Sequence, residues 1–492
     1  MKDIKKVLIA NRGEIACRII RSLKRMAIPG VLIYHRIDAC SPAVRLAGEA
    51  VEIDGPTPVA AYLDIEQIIN LCKQTGADAV HPGFGFLAEN PDFARRLAEE
   101  KITFIGPLAK TIELMGNKIT ARAFCMGNGF PLIPSVAETD AGAEFIEHVC
   151  ELGTPLLIKA AAGGGGKGMH IVRELNQLER SIQLAKDEAL RFFGDSAVYV
   201  ERYVEQPRHI EVQVLADHFG NTVHLGEREC SIQRRFQKIL EESPAPGLSQ
   251  QLREQICSTA VKIARQADYR NAGTVEFLLA PNGDFYFLEM NTRIQVEHPV
   301  TEMVTDIDLV ELQIGIARGE RLPFSQEQVR ARGHAIEMRL YAEDADNDFL
   351  PATGQLLRYR LPVGEGIRVD DGFAEGMKVS SAFDPMLAKL IAYGNNRKQA
   401  IERALQALNE TLVLGIATNT DYLKRILSHS AFTSGQIDTG FIPRYQEDLK
   451  PPALSREQRD LLLAAAVLAN REFTDATLKA PEPYATIGNW RN

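Results

Sequence analysis

Apolar residues along the chain fall first into short runs and then into helical spacing. Lys5 to Ala10 is an apolar run behind a charged start, which predicts a buried strand. Asn11-Arg12-Gly13 predicts a turn, and Glu14 to Met26, with Ile15, Ile19, Ile20 and Leu23 at helical spacing, predicts a helix. The series continues with a strand at Gly30 to His35, a helix at Ile65 to Lys73, a strand at Ala77 to Val80, a helix at Pro91 to Glu99 and a strand at Thr103 to Ile105. This alternation predicts a parallel α/β sheet. A second unit begins with a helix near Thr111, holds the glycine run 163–166 and changes after about Ala197 to hairpin-like strands, an α+β mixture. From Gly333 strands dominate, with turn signals at Pro351 to Gly354 and Pro362 to Gly366, followed by amphipathic helices at Arg397 to Asn409 and Thr420 to Ser428. From Pro451 a tail carries an apolar helix, Leu461 to Leu468, and a polar, proline-containing end.

Composition narrows the function classes. A length of 492 residues suggests about three domains, and 45% hydrophobic with 25% charged residues is ordinary for a globular enzyme. The formal charge of −9 argues against a nucleic-acid or anionic-membrane partner. Seven scattered cysteines, with no Cys-x-x-Cys pair, indicate neither a disulfide framework nor a zinc site and suit the cytoplasm. No run reaches the roughly 20 apolar residues of a membrane span, and the short Val7 to Ala10 run is too brief for a signal peptide.

Three stretches carry chemistry. Leu157-Ile-Lys159-Ala-Ala-Ala-Gly163-Gly-Gly-Gly166-Lys167-Gly168-Met-His-Ile-Val172 sets a glycine loop between two strands, where exposed N–H groups can close over phosphates. A Walker loop is excluded by Ala161 and Gly168, and a dinucleotide fingerprint by the strand that follows. In Thr274 to Asn291, Asn282-Gly283 predicts a two-residue hairpin turn with Pro281 opposite Asp284, and counting outward sets Glu276 against Glu289. Facing carboxylates destabilise a sheet unless a divalent cation lies between them, which points to Mg²⁺. The strand is then expected to run on to Glu297, with Glu289, Asn291, Arg293, Gln295 and Glu297 on one side. Arg293 suits a small planar oxyanion, and Glu297 lies close enough to act as general base. His81, His209, His298 and His334 lack ligand spacing, and Cys230, although next to Gln233-Arg-Arg-Phe-Gln-Lys238, reads as structural.

Together with Ile9-Ala-Asn-Arg-Gly-Glu-Ile15, His81-Pro-Gly-Phe-Gly-Phe-Leu-Ala-Glu-Asn90, Glu289 to Glu302 and Phe383-Asp-Pro-Met-Leu-Ala-Lys389, these motifs resemble the biotin carboxylases of the ATP-grasp superfamily, from residue 4 to about 446. The resemblance implies an α/β and α+β fold: an N-terminal parallel α/β domain over 1–115, a central ATP-grasp domain over 116–332 with a mobile glycine-loop lid at about 131–203, and a C-terminal mixed β/α domain over 333–446; the tail over 447–492 exceeds it and reads as a docking extension or the stub of a further domain. It implies that Lys118 and Lys159 hold ATP phosphates under the loop of Gly164, Gly165, Gly166 and Gly168. Glu201, His209, Gln233 and Leu278 would line the nucleotide pocket. Glu276, Glu289 and Asn291 would hold Mg²⁺ or Mn²⁺, and Arg293, Gln295 and Val296 would bind bicarbonate. Glu297 would deprotonate bicarbonate, Lys238 would steady carboxyphosphate, Arg339 would stabilise the biotin enolate, and Asp384 would orient Arg339 or biotin. Phe236, Phe84, Arg202 and Gly48 depart from the usual pattern, and Phe236 is not counted as a site.

Implied partners are a biotin carboxyl carrier protein and carboxyltransferase subunits of an acetyl-CoA or propionyl-CoA carboxylase, with the chain itself a homodimer or larger oligomer. Biotin is expected as a substrate on the carrier, because no Met-Lys-Met occurs and Met377-Lys378 is the nearest approach. Two other readings share part of these features: an ATP-grasp carboxylate–amine ligase, and a silent assembly subunit.

Overall fold

The computed structural model describes residues 3–138, 144–160, 169–193, 196–235, 237–453 and 455–469. The chain divides into two units, Met1–Leu449 and Lys450–Asn492. The second contains the helix Arg456–Ala469.

The first unit opens with strands β1 (Val7–Ile9), β2 (Gly30–His35), β3 (Glu49–Ile53), β4 (Ala79–His81) and β5 (Thr103–Phe104). They form a parallel sheet in the order β3-β2-β1-β4-β5, as strand–helix alternation predicts. Helix α1 (Gly13–Arg25) buries its apolar stripe and also the polar Glu14, Arg18 and Ser22. A smaller antiparallel sheet has the order β6-β9-β7-β8, built from β6 (Ser135–Ala137), β7 (Leu156–Ala160), β8 (His170–Val172) and β9 (Val198–Arg202). The predicted hairpin flanking the glycine run is present as β7 against β8, with Leu156 opposite Val172. The loop itself, with Gly164, Gly165, Gly166 and Gly168, lies outside the described residues, as does Phe236.

The large sheet is antiparallel and has eight strands. In spatial order these are β14 (Phe285–Asn291), β13 (Asn271–Leu279), β10 (Arg208–Ala216), β11 (Thr222–Arg234), β12 (Gln237–Ser243), β15 (His334–Tyr341), then Met386–Gly394 and Ile367–Asp371. Strands after residue 333 therefore join the sheet that begins at Arg208, through Leu240 opposite Met338. Pattern reading does not anticipate this, because a strand pairs by its edge and not by its place in the sequence. Several helices are also absent from the sequence expectation, among them Lys118–Gly127, Leu178–Phe193, Gln250–Gln266, His298–Thr305 and Leu309–Arg318. In Gln250–Gln266, Ser249 caps Leu252 N and the buried face includes Ala260 and Ala264, whose small side chains give a weak apolar rhythm.

The hairpin β13–β14 corrects one count. Its loop has three residues, Pro281-Asn282-Gly283, closed by Ala280 N donating to Asp284 O at 2.8 Å, with Gly283 at φ 92° supplying the left-handed turn. That shifts the register by one residue. A bulge at Leu288 shifts it back, so Glu276 still faces Glu289. After Asn291 the chain leaves the sheet, and the predicted strand to Glu297 is a loop. Ile294 fixes that loop by entering the same apolar core as Ile15, Ile19 and Leu309. No helix among the described residues is long and apolar enough to cross a membrane.

Candidate active site

Register sets a line of charge across the large sheet. Glu289 on β14 faces Glu276 on β13, Glu276 faces Glu211 on β10, and Glu211 faces Arg228 on β11. Three neighbouring carboxylates would drive adjacent strands apart, and burying them uncompensated would cost several kcal/mol each. Cations answer this. Lys238, on β12, bonds Glu211, reaches Glu276 at 3.0 Å and reaches Glu297 at 2.9 Å. Arg228, fully buried, donates to Glu211 at 3.1 Å, to Thr274 Oγ1 at 3.1 Å and to Gln295 Oε1 at 2.6 Å. His209 Nε2 lies 2.7 Å from Glu276 Oε2.

The loop after β14 hangs its functional side chains on this line. Asn291 and Gln295 each donate to Glu276 Oε1 at 2.8 Å. Arg293 donates from Nε to Glu89 at 2.8 Å and from Nη2 to Asn291 at 3.0 Å. Glu297 receives Lys238 on one oxygen and Arg339, from β15, on the other at 2.9 Å. Arg339 also donates to Glu241 at 2.6 Å. Arg293, Gln295 and Glu297 thus converge as expected, through a loop anchored at each residue rather than through strand alternation.

The charges are strongly perturbed. Burial alone would discharge Lys238, but the pull of Glu211, Glu276 and Glu297 outweighs it and holds the ammonium well above its ordinary value. Burial would likewise raise Glu276 and Glu297; Lys238 with His209, and Lys238 with Arg339, hold them well below the usual carboxylate range. Burial pushes Glu211 up to about 7. Glu241 and Glu337, opposite one another on β12 and β15, are also raised by burial. Cys230 is buried with its thiol pushed up by desolvation, as a structural residue would be.

The remaining expected residues lie around this line of charge. Lys118, at the start of the helix Lys118–Gly127, pairs with Glu289 at 3.3 Å. Lys159 on β7 bonds Glu201 on β9, because Leu157 is opposite Glu201 and the lysine leans across the diagonal. His209 faces Leu278, and Gln233 faces Lys238. Val296 is half-buried, with its carbonyl accepting from Lys389 at 2.8 Å. Asp384 is exposed and accepts from Met386 N at 3.0 Å, and the hydrogen bonds of Arg339 run to Glu241 and Glu297, so of its two expected roles the orienting of Arg339 is not a direct contact. A carboxylate two residues before a strand caps its own backbone more readily than it reaches a buried guanidinium.

A pair of register-matched carboxylates with oxygen donors suits Mg²⁺. Of the pair, Glu289 is the accessible member, one-third exposed and paired with Lys118, while both oxygens of Glu276 already accept from Lys238, Asn291, Gln295 and His209. Sequence reasoning missed Glu89, Glu211, Arg228, Glu241 and Lys389. A signal existed for Glu211: His209, Glu211 and Gln213 alternate with Ile210, Val212 and Val214 along a buried strand.

Three family profiles match in succession: "Biotin carboxylase, N-terminal domain" over residues 3–112, "Carbamoyl-phosphate synthase L chain, ATP binding domain" over 117–325, and "Biotin carboxylase C-terminal domain" over 337–444. Fold and profiles define an ATP-dependent ligase of the ATP-grasp type. The biotin carboxylase of Halalkalibacterium halodurans is 48% identical over 442 residues, covering 90% of this chain and 98% of that protein. The mitochondrial methylcrotonoyl-CoA carboxylase subunit alpha of Dictyostelium discoideum is 44% identical over 495 residues, covering all of this chain and 71% of that one. Among solved structures, the biotin carboxylase domain dimer of Hydrogenobacter thermophilus 2-oxoglutarate carboxylase, in complex with MgADP, ADP and bicarbonate, superposes with a TM-score of 0.87 at 43% identity, covering 92% of this chain and 100% of that one. The chain belongs to the biotin carboxylase family.

Proposed function

We propose that the chain uses ATP and bicarbonate to carboxylate biotin carried on a separate polypeptide, as the first half-reaction of an acetyl-CoA or propionyl-CoA carboxylase. The observation that carries this reading is Glu297 gripped between Lys238 and Arg339, beside Arg293 and Gln295 and one step from the Glu276–Glu289 pair. In this reading Arg293, Gln295 and Val296 hold bicarbonate, and Glu297 takes its proton. The freed oxygen attacks the γ-phosphorus of ATP and displaces ADP, with Lys118 and Lys159 on the phosphates and Lys238 beside the carboxyphosphate formed. That species separates into CO₂ and phosphate; phosphate removes the ureido proton of biotin, Arg339 balances the enolate oxygen, and the nitrogen attacks CO₂. Mg²⁺, held by Glu276 and Glu289 with Asn291 behind Glu276, would offset negative charge on the phosphate oxygens. The solved relative with MgADP and bicarbonate supports this substrate set.

The division at 1–115, 116–332 with its glycine lid, and 333–446 is kept as the functional one; the profile limits support it. The acyl-CoA arm of the proposal is supported by the methylcrotonoyl-CoA carboxylase relative, which matches all of this chain. The dimeric solved relative supports a homodimer, a biotin carrier and a carboxyltransferase are the partners this reading assigns to it, and seven free thiols suit a reducing compartment such as the cytoplasm.

ATP cleavage should require bicarbonate and should rise when a biotinylated carrier protein replaces free biotin, while avidin blotting of the chain itself stays negative. Cleavage indifferent to bicarbonate but stimulated by an amine would replace this reading with a carboxylate–amine ligase. The metal assignment has its own test. Glu276→Gln and Glu289→Gln should each raise the Mg²⁺ concentration for half-maximal turnover by about tenfold or more, since each removes one hard oxygen ligand. Glu289→Gln should do so at unchanged unfolding temperature, and Glu276→Gln should still fold but unfold at a lower temperature, because its amide NH2 meets buried donors. Wild-type Mg²⁺ dependence in both variants would remove these residues from the metal.

A further inference from the structure

The turn that carries Gln295, Val296 and Glu297 is gripped from the far side by groups outside the reaction scheme above. Lys389, on the strand Met386–Gly394, is fully buried and stands opposite Arg339 on one neighbour and opposite Asp370 on the other. Its ammonium does not pair mainly with Asp370, which is 4.0 Å away. It donates to the carbonyl of Val296 at 2.8 Å and lies 3.1 Å from Glu14 Oε1 at the start of α1. Next to it, His298 Nδ1 donates to the carbonyl of Gln295 at 2.7 Å. Burial together with the cations Lys389, Arg18 and Arg368 holds His298 well below its ordinary value, so its ring is neutral and the hydrogen sits on Nδ1. Two successive carbonyls are therefore tied down behind the residues whose side chains face Lys238, Glu276 and Arg339.

We infer that Lys389 is a positioning residue for the bicarbonate step: its ammonium fixes the Val296 carbonyl and thereby sets where Gln295 and Glu297 point. This rests on the function proposed above. Three observations support it. A buried ammonium is costly unless satisfied, and Lys389 makes its shortest contact with the Val296 carbonyl at 2.8 Å, ahead of Glu14 at 3.1 Å and Asp370 at 4.0 Å. Glu14, the compensating carboxylate, is brought to the site by a close approach of backbones, since a Cβ on Gly372 would stand 2.6 Å from Glu14 N. The bond from His298 to the adjacent Gln295 carbonyl at 2.7 Å ties down the same turn, so two donors from different elements hold successive carbonyls.

The test separates holding the turn from merely balancing buried charge. Lys389→Met removes the Val296 bond and leaves Glu14 unpaired; Lys389→Met with Glu14→Gln removes the bond and the Glu14 charge together, while Asp370 keeps Arg368 at 2.7 Å. In both, KM for bicarbonate should rise by about tenfold or more while KM for ATP stays within about twofold, because a bond to a charged donor is lost on the bicarbonate side alone. KM is read on whatever fraction of the enzyme is folded, so lower yield does not obscure it. An unchanged bicarbonate KM in Lys389→Met, its recovery in the double variant, or failure of both variants to fold would each assign Lys389 a structural role and overturn the inference. A wild-type enzyme whose ATP cleavage ignores bicarbonate would instead sink the functional reading itself.

Discussion

Glu297→Gln should lower bicarbonate-dependent ATP cleavage by about 10²–10⁴-fold, the range by which a positioned general base accelerates its step. The substitution keeps size and one hydrogen-bond acceptor and removes the charge and the basic oxygen. The fold should survive it. Lys238 retains Glu211 and Glu276, and Arg339 retains Glu241, so neither cation is left buried and unpaired. Burial opposes ionisation of Glu297, but Lys238, Arg339 and Arg228 overcome it and keep the carboxylate well below its usual range. The base is thus ionised throughout the neutral range, and loss of activity on mild acidification should trace to another group; Glu211, pushed up to about 7 by burial, is the nearest. Initial rates of phosphate release at saturating ATP and bicarbonate, with unfolding temperature as the control, decide the matter. A Glu297→Gln enzyme within tenfold of wild type would remove Glu297 from the role of base.

How much of this site is legible in the sequence depends on how each contact is made. Contacts set by neighbours along the chain are legible: the Asn282-Gly283 turn, the apolar rhythm of α1, and the Glu276–Glu289 pairing. Even that pairing is reached through two compensating errors, since a three-residue loop and a bulge at Leu288 each shift the register by one. A bulge arises from local twist of the formed sheet and has no residue signature here. Contacts set by strand order are not legible. Lys238 meets Glu211 across a sequence separation of 27 only because β12, β11 and β10 lie side by side, and Arg228 meets Gln295 across 67 only because the loop after β14 folds back over the same sheet. The strand expected from Glu289 to Glu297 fails for a related reason: alternating residue types describe the side they end on, and a loop pinned by Glu89, by Ile294 in the core and by Lys389 gives the same sidedness.

Arg339→Ser should separate the two halves of the reaction. Arg339 is buried on β15, donating to Glu241 at 2.6 Å and to Glu297 at 2.9 Å, so it touches the base yet lies on the side of it away from Glu276 and the metal pair. Its removal leaves Glu241 without its cation. Burial already raises Glu241, so that carboxyl takes up a proton rather than remaining as an uncompensated charge, and the chain should still fold. Glu297 keeps Lys238 as its partner and stays ionised. ATP cleavage that depends on bicarbonate should therefore persist to within about tenfold, the loss of one charge-assisted hydrogen bond to the base. Transfer of label from bicarbonate to biotin should fall further, by about 10²–10³-fold, the cost of losing a preplaced donor to a developing oxyanion. The measurement is the ratio of carboxybiotin formed to phosphate released, which should drop by at least about tenfold in the variant. If both products decline together, Arg339 acts through Glu297 on the bicarbonate step, and stabilisation of the biotin enolate must come from another group.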